Sequence, residues 1–379
     1  MSKNLGTEAL RLHKKNRGKI EVVSKIDIKD RWDLSLVYTP GVASVSSYLA
    51  KHESEIGKYT VKGNFVAVVS DGSAVLGLGD VGPLAALPVM EGKCALFKRF
   101  ANIDAVPIVL SSKEPQVIID TVKAISPTFG AICLEDIASP RCFLIEEGLR
   151  KELDIPVVHD DQWGAAVVSL AALTNALIVV KKRIQDVKIV VSGAGAAGSA
   201  IVKLIHKRGA RNILVCDRAG IIYKRRRGNN QYKESLTKIT NSQNISGDLK
   251  KAIKGSDVFI GVSSAGIVSQ EMVASMNRGA IVFALANPTP EIMPGAALAA
   301  GAAVVATGRS DFPNQVNNAL AFPGVFRGAL DHRAISITSN MLIKAAENLA
   351  GLVKKPTSEK IIPSIFERGV VKRVSSAIV

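Results

Sequence analysis

Six residues, Gly193-Ala194-Gly195-Ala196-Ala197-Gly198, follow directly on the apolar run Val187-Lys188-Ile189-Val190-Val191-Ser192. Helix-forming residues 199–207 come next, then a second apolar stretch, residues 212–216, which ends at Asp217. Asp217 lies 217 − 198 = 19 residues beyond the last glycine. Glycines at this spacing let the chain leave a strand, turn tightly and enter a helix. The free N–H groups and positive end of such a helix form a seat for a pyrophosphate. In this context the pattern is the full dinucleotide fingerprint, which a lone GxGxxG is not. Gly193, Gly195, Ala196, Ala197 and Gly198 are therefore the expected cofactor-binding turn. Asp217 is placed to accept hydrogen bonds from the ribose hydroxyls, which favours NAD. Arg218 is adjacent, and Lys224-Arg225-Arg226-Arg227 lies close behind. Those cations either hold a 2′-phosphate, which keeps NADP open, or form a solvated loop.

Two further apolar runs end in paired acids. One is Ala131-Ile132-Cys133-Leu134-Glu135-Asp136, the other Ile155-Pro156-Val157-Val158-His159-Asp160-Asp161. Both are short and read as buried strands. Carboxylates at the end of a buried strand are costly unless their charge is compensated. In open α/β sheets ligands collect at the carboxyl ends of strands, where these acids fall. A divalent cation bound jointly by the two ends is the simplest compensation. Four hard oxygen donors suit Mg²⁺ or Mn²⁺ better than Zn²⁺. The competing reading is that one pair caps the helix that follows it. Two similar pairs 160 − 136 = 24 residues apart favour the metal.

The remaining chain alternates in the same way. Residues 64–69 and 104–110 read as strands, 114–125 as a helix, and Ser139-Pro140 opens another helix. Residues 258–262, 280–284 and 303–306 read as further strands. Strands alternating with helices indicate parallel α/β units. Residues 1–30 are helix-prone, residues 33–42 read as a β-like run broken by Pro40-Gly41, and residues 341–379 as two helices separated near Pro356. The fold class expected is α/β. An N-terminal substrate and metal domain covers residues 1–162, a doubly wound Rossmann-type domain 163–345, and a C-terminal helical segment 346–379. Lys93 has apolar neighbours on its C-terminal side and either reaches solvent or is tuned toward base chemistry. Tyr38, at the Pro-Gly break, is a core tyrosine or a phenol facing a cleft.

Composition bounds the alternatives. The chain has 379 residues and a net charge of 49 − 33 = +16. That charge fits anionic small molecules as well as nucleic acid. Aromatic residues make up only 5% and are not interleaved with the basic ones, so no base-stacking surface is expected. Cys94, Cys133, Cys142 and Cys216 form no CxxC and read as buried thiols in a reducing compartment. No apolar h-region lies within residues 1–15, and a cytoplasmic location is expected. Residues 163–180 run 18 residues without a charge, long enough to reach across a bilayer. They begin directly after the acids and read instead as a buried helix between domains.

Taken together these stretches resemble the malic enzyme family in its short bacterial form. The resemblance runs through Ser35-Leu36-Val37-Tyr38-Thr39-Pro40-Gly41-Val42-Ala43, Val75-Leu76-Gly77-Leu78-Gly79-Asp80, Glu91-Gly92-Lys93 and Leu134-Glu135-Asp136. It continues through His159-Asp160-Asp161-Gln162, the glycine turn, Ala286-Asn287-Pro288-Thr289 and Gln315-Val316-Asn317-Asn318. It implies that Glu135, Asp136 and Asp161 ligate Mg²⁺ or Mn²⁺. It implies Lys93 as general base with Asp160 beside it, and Tyr38 as the acid. It also implies that Asn287 and Asn318 hold a malate carboxylate, with Asn287 bordering the nucleotide as well. One departure stands out: Trp163-Gly164-Ala165 replaces the family's usual His-Gly-Thr, beside the metal strand.

The activity implied is oxidation of malate to pyruvate and CO₂ with reduction of NAD(P)⁺, by a homodimer. A malolactic or other 2-hydroxyacid decarboxylating enzyme on the same scaffold is the near alternative. A non-catalytic nucleotide-binding paralogue would be expected to have lost Tyr38, Lys93 or a metal acid, and all are present. Neither nucleic acid nor a membrane is expected as a partner.

Overall fold

Ten strands form two sheets in the computed structural model, which describes residues 3–75 and 77–379. Leu76, part of one motif above, lies outside the described residues. The first sheet holds β1 (Phe65–Ser70), β2 (Asp104–Val109), β3 (Ala131–Leu134) and β4 (Val157–His159) in the order β2-β1-β3-β4. All its pairings are parallel. The second holds β5 (Lys188–Ser192), β6 (Asn212–Asp217), β7 (Gly220–Ile221), β8 (Val258–Gly261), β9 (Ala280–Ala284) and β10 (Ala302–Thr307). Its order is β10-β9-β8-β5-β6-β7, parallel except for the short β7. Chain order reverses between β5 and β8, and a crevice at such a switch point is where α/β sheets bind ligands.

The strands form because their runs are β-branched and bury both faces, as in Val66, Val68 and Val69 of β1 or Ile189, Val190 and Val191 of β5. The Asp160–Val179 helix joins the two sheets. It satisfies the length and apolarity of a membrane span, yet 72% of that window is buried. Ala166, Leu170 and Leu173 pack in one core with Val66 of β1 and Val191 of β5. That burial accounts for the uncharged run that follows the two acids of its first turn.

One local expectation fails. Residues 33–42 are not β-like: Arg31–Val37 and Gly41–Leu49 are helices. Asp30 caps the first, its side chain accepting the Asp33 N–H at 2.8 Å, and Asp33 in turn accepts the Lys29 N–H at 3.0 Å. Leu34 and Leu36 alternate as in a strand, but no strand among the described residues pairs with them, and both are exposed. The first 30 residues supply the Lys3–Asn16 helix, and the C-terminal segment supplies Ser339–Ala350 and Val370–Ser375.

Candidate active site and nucleotide seat

In the first sheet β3 and β4 are neighbours, with Leu134 opposite His159. Glu135-Asp136 and Asp160-Asp161 therefore leave the sheet side by side. Carboxylate oxygens of Glu135, Asp136 and Asp161 all lie within 4.8 Å of one another. Asp136 has φ 53°, a left-handed conformation that a short polar residue tolerates. Its N–H donates to Asp161 Oδ2 at 2.8 Å, and its carbonyl accepts the Ala74 N–H at 2.9 Å. The capping alternative does not apply to the second pair. His159 is the N-cap of the following helix, and no side chain makes the cap bond.

Lys93 enters this cluster from the Pro83–Ala101 helix. It lies on the buried face with Met90, Cys94 and Phe97, and is 7% exposed. Its Nζ stands 2.6 Å from Asp160 Oδ2, 2.8 Å from Glu135 Oε1 and 4.1 Å from the centre of the Phe322 ring. It does not reach solvent, which removes that alternative. Burial works against the ammonium, but the charges of Asp160 and Glu135 prevail and hold Lys93 well above the ordinary lysine range. Two carboxylates bracket Lys93 in the chain alone. Burial pushes Glu135 well up; Lys93 opposes, and Asp161, Asp160 and Asp136 add to the rise. Three acids thus act on Glu135 against the Lys93 ammonium. A hard divalent cation among the oxygens of Glu135, Asp136 and Asp161 fits that imbalance.

The second sheet reaches the cluster through Asn318, which opens the Asn318–Leu320 turn of 3₁₀ helix and donates from Nδ2 to Asp160 Oδ2 at 2.7 Å. Asn287 sits beyond β9, with its amide 3.4 Å from the Leu285 carbonyl. A Cβ at Gly77 would stand 2.9 Å from Pro288 Cδ, so the glycine-rich loop packs against the Asn287-Pro288 segment. Tyr38 ends the Arg31–Val37 helix, is 67% exposed, and its phenol makes no hydrogen bond among the described residues. The structure thus brings Lys93, Asp160, Glu135, Asp136, Asp161 and Asn318 together and leaves Tyr38 and Asn287 outside that bonded cluster.

The glycine turn lies at the end of β5, and the Ala196–Arg208 helix follows it. A Cβ at Gly198 would come within 1.8 Å of the Gly193 carbonyl, and one at Gly193 within 2.6 Å of the Val262 carbonyl. Both positions require glycine. At Gly195 nothing stands within 4 Å, which leaves room for a ligand's pyrophosphate beside the helix start. Asp217 ends β6, and its carboxylate is engaged by Arg226 and Lys233.

Family relationships accord with this geometry. Residues 163–379 match the family described as malic enzyme, NAD binding domain, and residues 17–117 that described as malic enzyme, N-terminal domain. The chain belongs to the malic enzyme family. It is 53% identical to a bifunctional malic/malolactic enzyme of Bacillus subtilis over 99% of this chain and 92% of that one. It is 54% identical to an NAD-dependent malic enzyme of Geobacillus stearothermophilus over 96% of this chain and 76% of that one. The crystal structure of an NAD-dependent malic enzyme from Thermotoga maritima superposes with a TM-score of 0.95 at 50% identity, covering 98% of both chains.

Within this malic enzyme framework the departure at Trp163 has a clear structural place. Its indole N–H donates to Glu146 Oε1 at 2.7 Å. Glu146 also accepts the His159 N–H at 3.2 Å and the Gln162 amide at 2.8 Å. Burial pushes Glu146 up to about 7, against the donors from His159, Trp163 and Gln162. The indole therefore braces the turn that carries Asp160 and Asp161. The sequence reading missed Glu146, yet Cys142, Ile145, Glu146 and Leu149 share the buried face of the Arg141–Glu152 helix, and an acid on an apolar face was a legible signal. It also missed Gly164, where a Cβ would fall 1.9 Å from Asp160 Oδ1. His159, fully buried with Nε2 3.5 Å from Asp161 Oδ2, was missed as well; burial lowers its basicity, against the charges of Asp161 and Asp160.

Proposed function

We propose that this chain catalyses the oxidative decarboxylation of malate to pyruvate and CO₂ with reduction of a nicotinamide nucleotide, and that the acids around Lys93 carry the chemistry. The observation that supports this best is the buried Lys93 ammonium, held by Asp160 and Glu135 beside the three clustered carboxylates. Lys93 receives the proton of the C2 hydroxyl. To do so it must first be neutral, and Asp160, bonded to Nζ, is the group positioned to take its proton. Asn318 fixes Asp160 from the other sheet. Asn318 and Asn287 offer amide N–H groups to a substrate carboxylate. Tyr38 supplies the proton to C3 after CO₂ leaves.

Glu135, Asp136 and Asp161 would hold Mg²⁺ or Mn²⁺. When bound, such a cation offsets the crowded acids and withdraws electron density from the C2 oxygen. The residues 193–198 turn would hold the nucleotide, which would supply the hydride acceptor for C2. The test is an assay of purified protein with malate, NAD⁺ and Mn²⁺, following NADH and pyruvate together. Equal production of both supports the reading. Lactate without net NADH would mark the malolactic alternative, and neither product would end it.

A homodimer belongs to the same reading. Trp32, Leu34, Leu36 and Tyr38 are exposed on one N-terminal stretch, Trp32 at 70%. An apolar stretch of that kind suits an interface, and isologous pairing is the commonest way to cover one. The assembly would then set what the Tyr38 phenol meets. Light scattering should return twice 40.1 kDa, and a mass of 40.1 kDa that persists at all concentrations would refute the dimer. The four cysteines are free and buried, as suits the reducing cytoplasm, where we place the protein.

A further inference from the structure

The end of β6 decides which dinucleotide this site can read. For NAD, an acid here accepts bonds from the ribose hydroxyls. Asp217 already has four donors. Its Oδ1 accepts Arg226 Nη1 at 2.9 Å and the Ala219 N–H at 2.9 Å. Its Oδ2 accepts Arg226 Nη2 and, at 2.8 Å, Lys233 Nζ. A carboxylate offers about four lone-pair positions, so none is left over for a ribose hydroxyl.

Nor is the basic stretch a loose solvated loop. The Arg226 side chain is 8% exposed. Its Nε donates to Asn229 Oδ1 at 3.1 Å, and Asn229 in turn donates to Glu234 Oε2 at 2.9 Å. Glu234 accepts the Arg225 N–H at 3.0 Å. The segment from Asp217 to Glu234 is thus built around Arg226. Two cations face one anion, which leaves this corner positive. Lys233 spends one of its three N–H donors on Asp217, and Arg218, next to Asp217, is exposed.

We propose that Asp217 is a positioning residue that holds Arg226 and Lys233, and that Lys233 with Arg218 receives a 2′-phosphate, so that the enzyme takes NADP⁺ at least as well as NAD⁺. This rests on the dinucleotide reading of the glycine turn and reverses the preference expected from Asp217 in the sequence. The repulsion that the Asp217 carboxylate alone would exert on a 2′-phosphate is offset at close range by the two cations bonded to it.

Calorimetry on the substrate-free, metal-free protein tests it with adenosine 2′,5′-bisphosphate and adenosine 5′-monophosphate as probes, and with NAD⁺ as the control. A charge-assisted contact predicts roughly ten- to hundredfold tighter binding of the bisphosphate. Lys233→Gln should remove most of that ratio, while its affinity for NAD⁺ falls far less. Tighter binding of the monophosphate by the unaltered protein would overturn the proposal, and that comparison needs no variant. A bisphosphate preference undiminished in a folded Lys233→Gln protein would overturn the role of Lys233. Failure of NAD⁺ itself to bind would instead strike at the nucleotide seat.

Discussion

Lys93→Ala should lose malate oxidation by several orders of magnitude and keep its nucleotide binding. Removal of a general base costs ~10²–10⁴-fold by itself. The structure adds a second cost, since the substitution leaves Asp160 and Glu135 facing each other in a buried site without their ammonium. Removing one partner of a buried ion pair destabilises by about 3–5 kcal/mol. Thermal unfolding must therefore be measured with the kinetics, and added Mn²⁺ should restore part of the lost stability. Tyr38→Phe is the comparison. An exposed phenol with no bonded partner can lose its oxygen with little effect on folding, so any lost rate reports on chemistry. If Tyr38 serves protonation at C3, the Phe variant should oxidise malate slowly yet still reduce supplied oxaloacetate with NADH, which needs no proton at C3. Equal loss of oxaloacetate reduction in both variants would mean that the two residues act as one unit, and their separate roles would have to be given up.

Chelation should abolish activity, and Mg²⁺ or Mn²⁺ should restore it. The acids at the ends of β3 and β4 crowd one another, and burial magnifies their repulsion. Asp161→Asn should weaken metal binding strongly without unfolding the chain. Asp161 is the most exposed of the three ligand candidates, and an amide oxygen can still accept the Asp136 N–H. The measurements are a Mn²⁺ titration of activity and a direct Mn²⁺ binding isotherm for the variant. Full activity after exhaustive chelation would remove the cation from the mechanism. An unchanged isotherm would remove Asp161 from its ligands.

The parts of this protein that depend on neighbours along the chain are legible in the sequence. The glycine turn is one: Gly193 and Gly198 are fixed by contacts within their own strand–helix unit and one adjoining strand end. The acid pairs are another, since β3 and β4 end where their apolar runs end. The helix at residues 31–37 was also locally encoded, through Asp30 as its cap, but the alternation of Leu34 and Leu36 masked it. What the sequence did not determine is which distant groups share a charge. Lys93 meets Asp160 across 67 residues, and Asn318 meets the same carboxylate across 158. Asp217 was correctly placed at a strand end, but only the folded segment beyond it brings in Arg226 and Lys233 and takes up its lone pairs. Periodicity and local propensity report on an element's own backbone and exposed face. The protonation of Lys93 and the occupied lone pairs of Asp217 are set instead by the charges and donors that tertiary packing brings within hydrogen-bond reach, where a low dielectric makes each of them count.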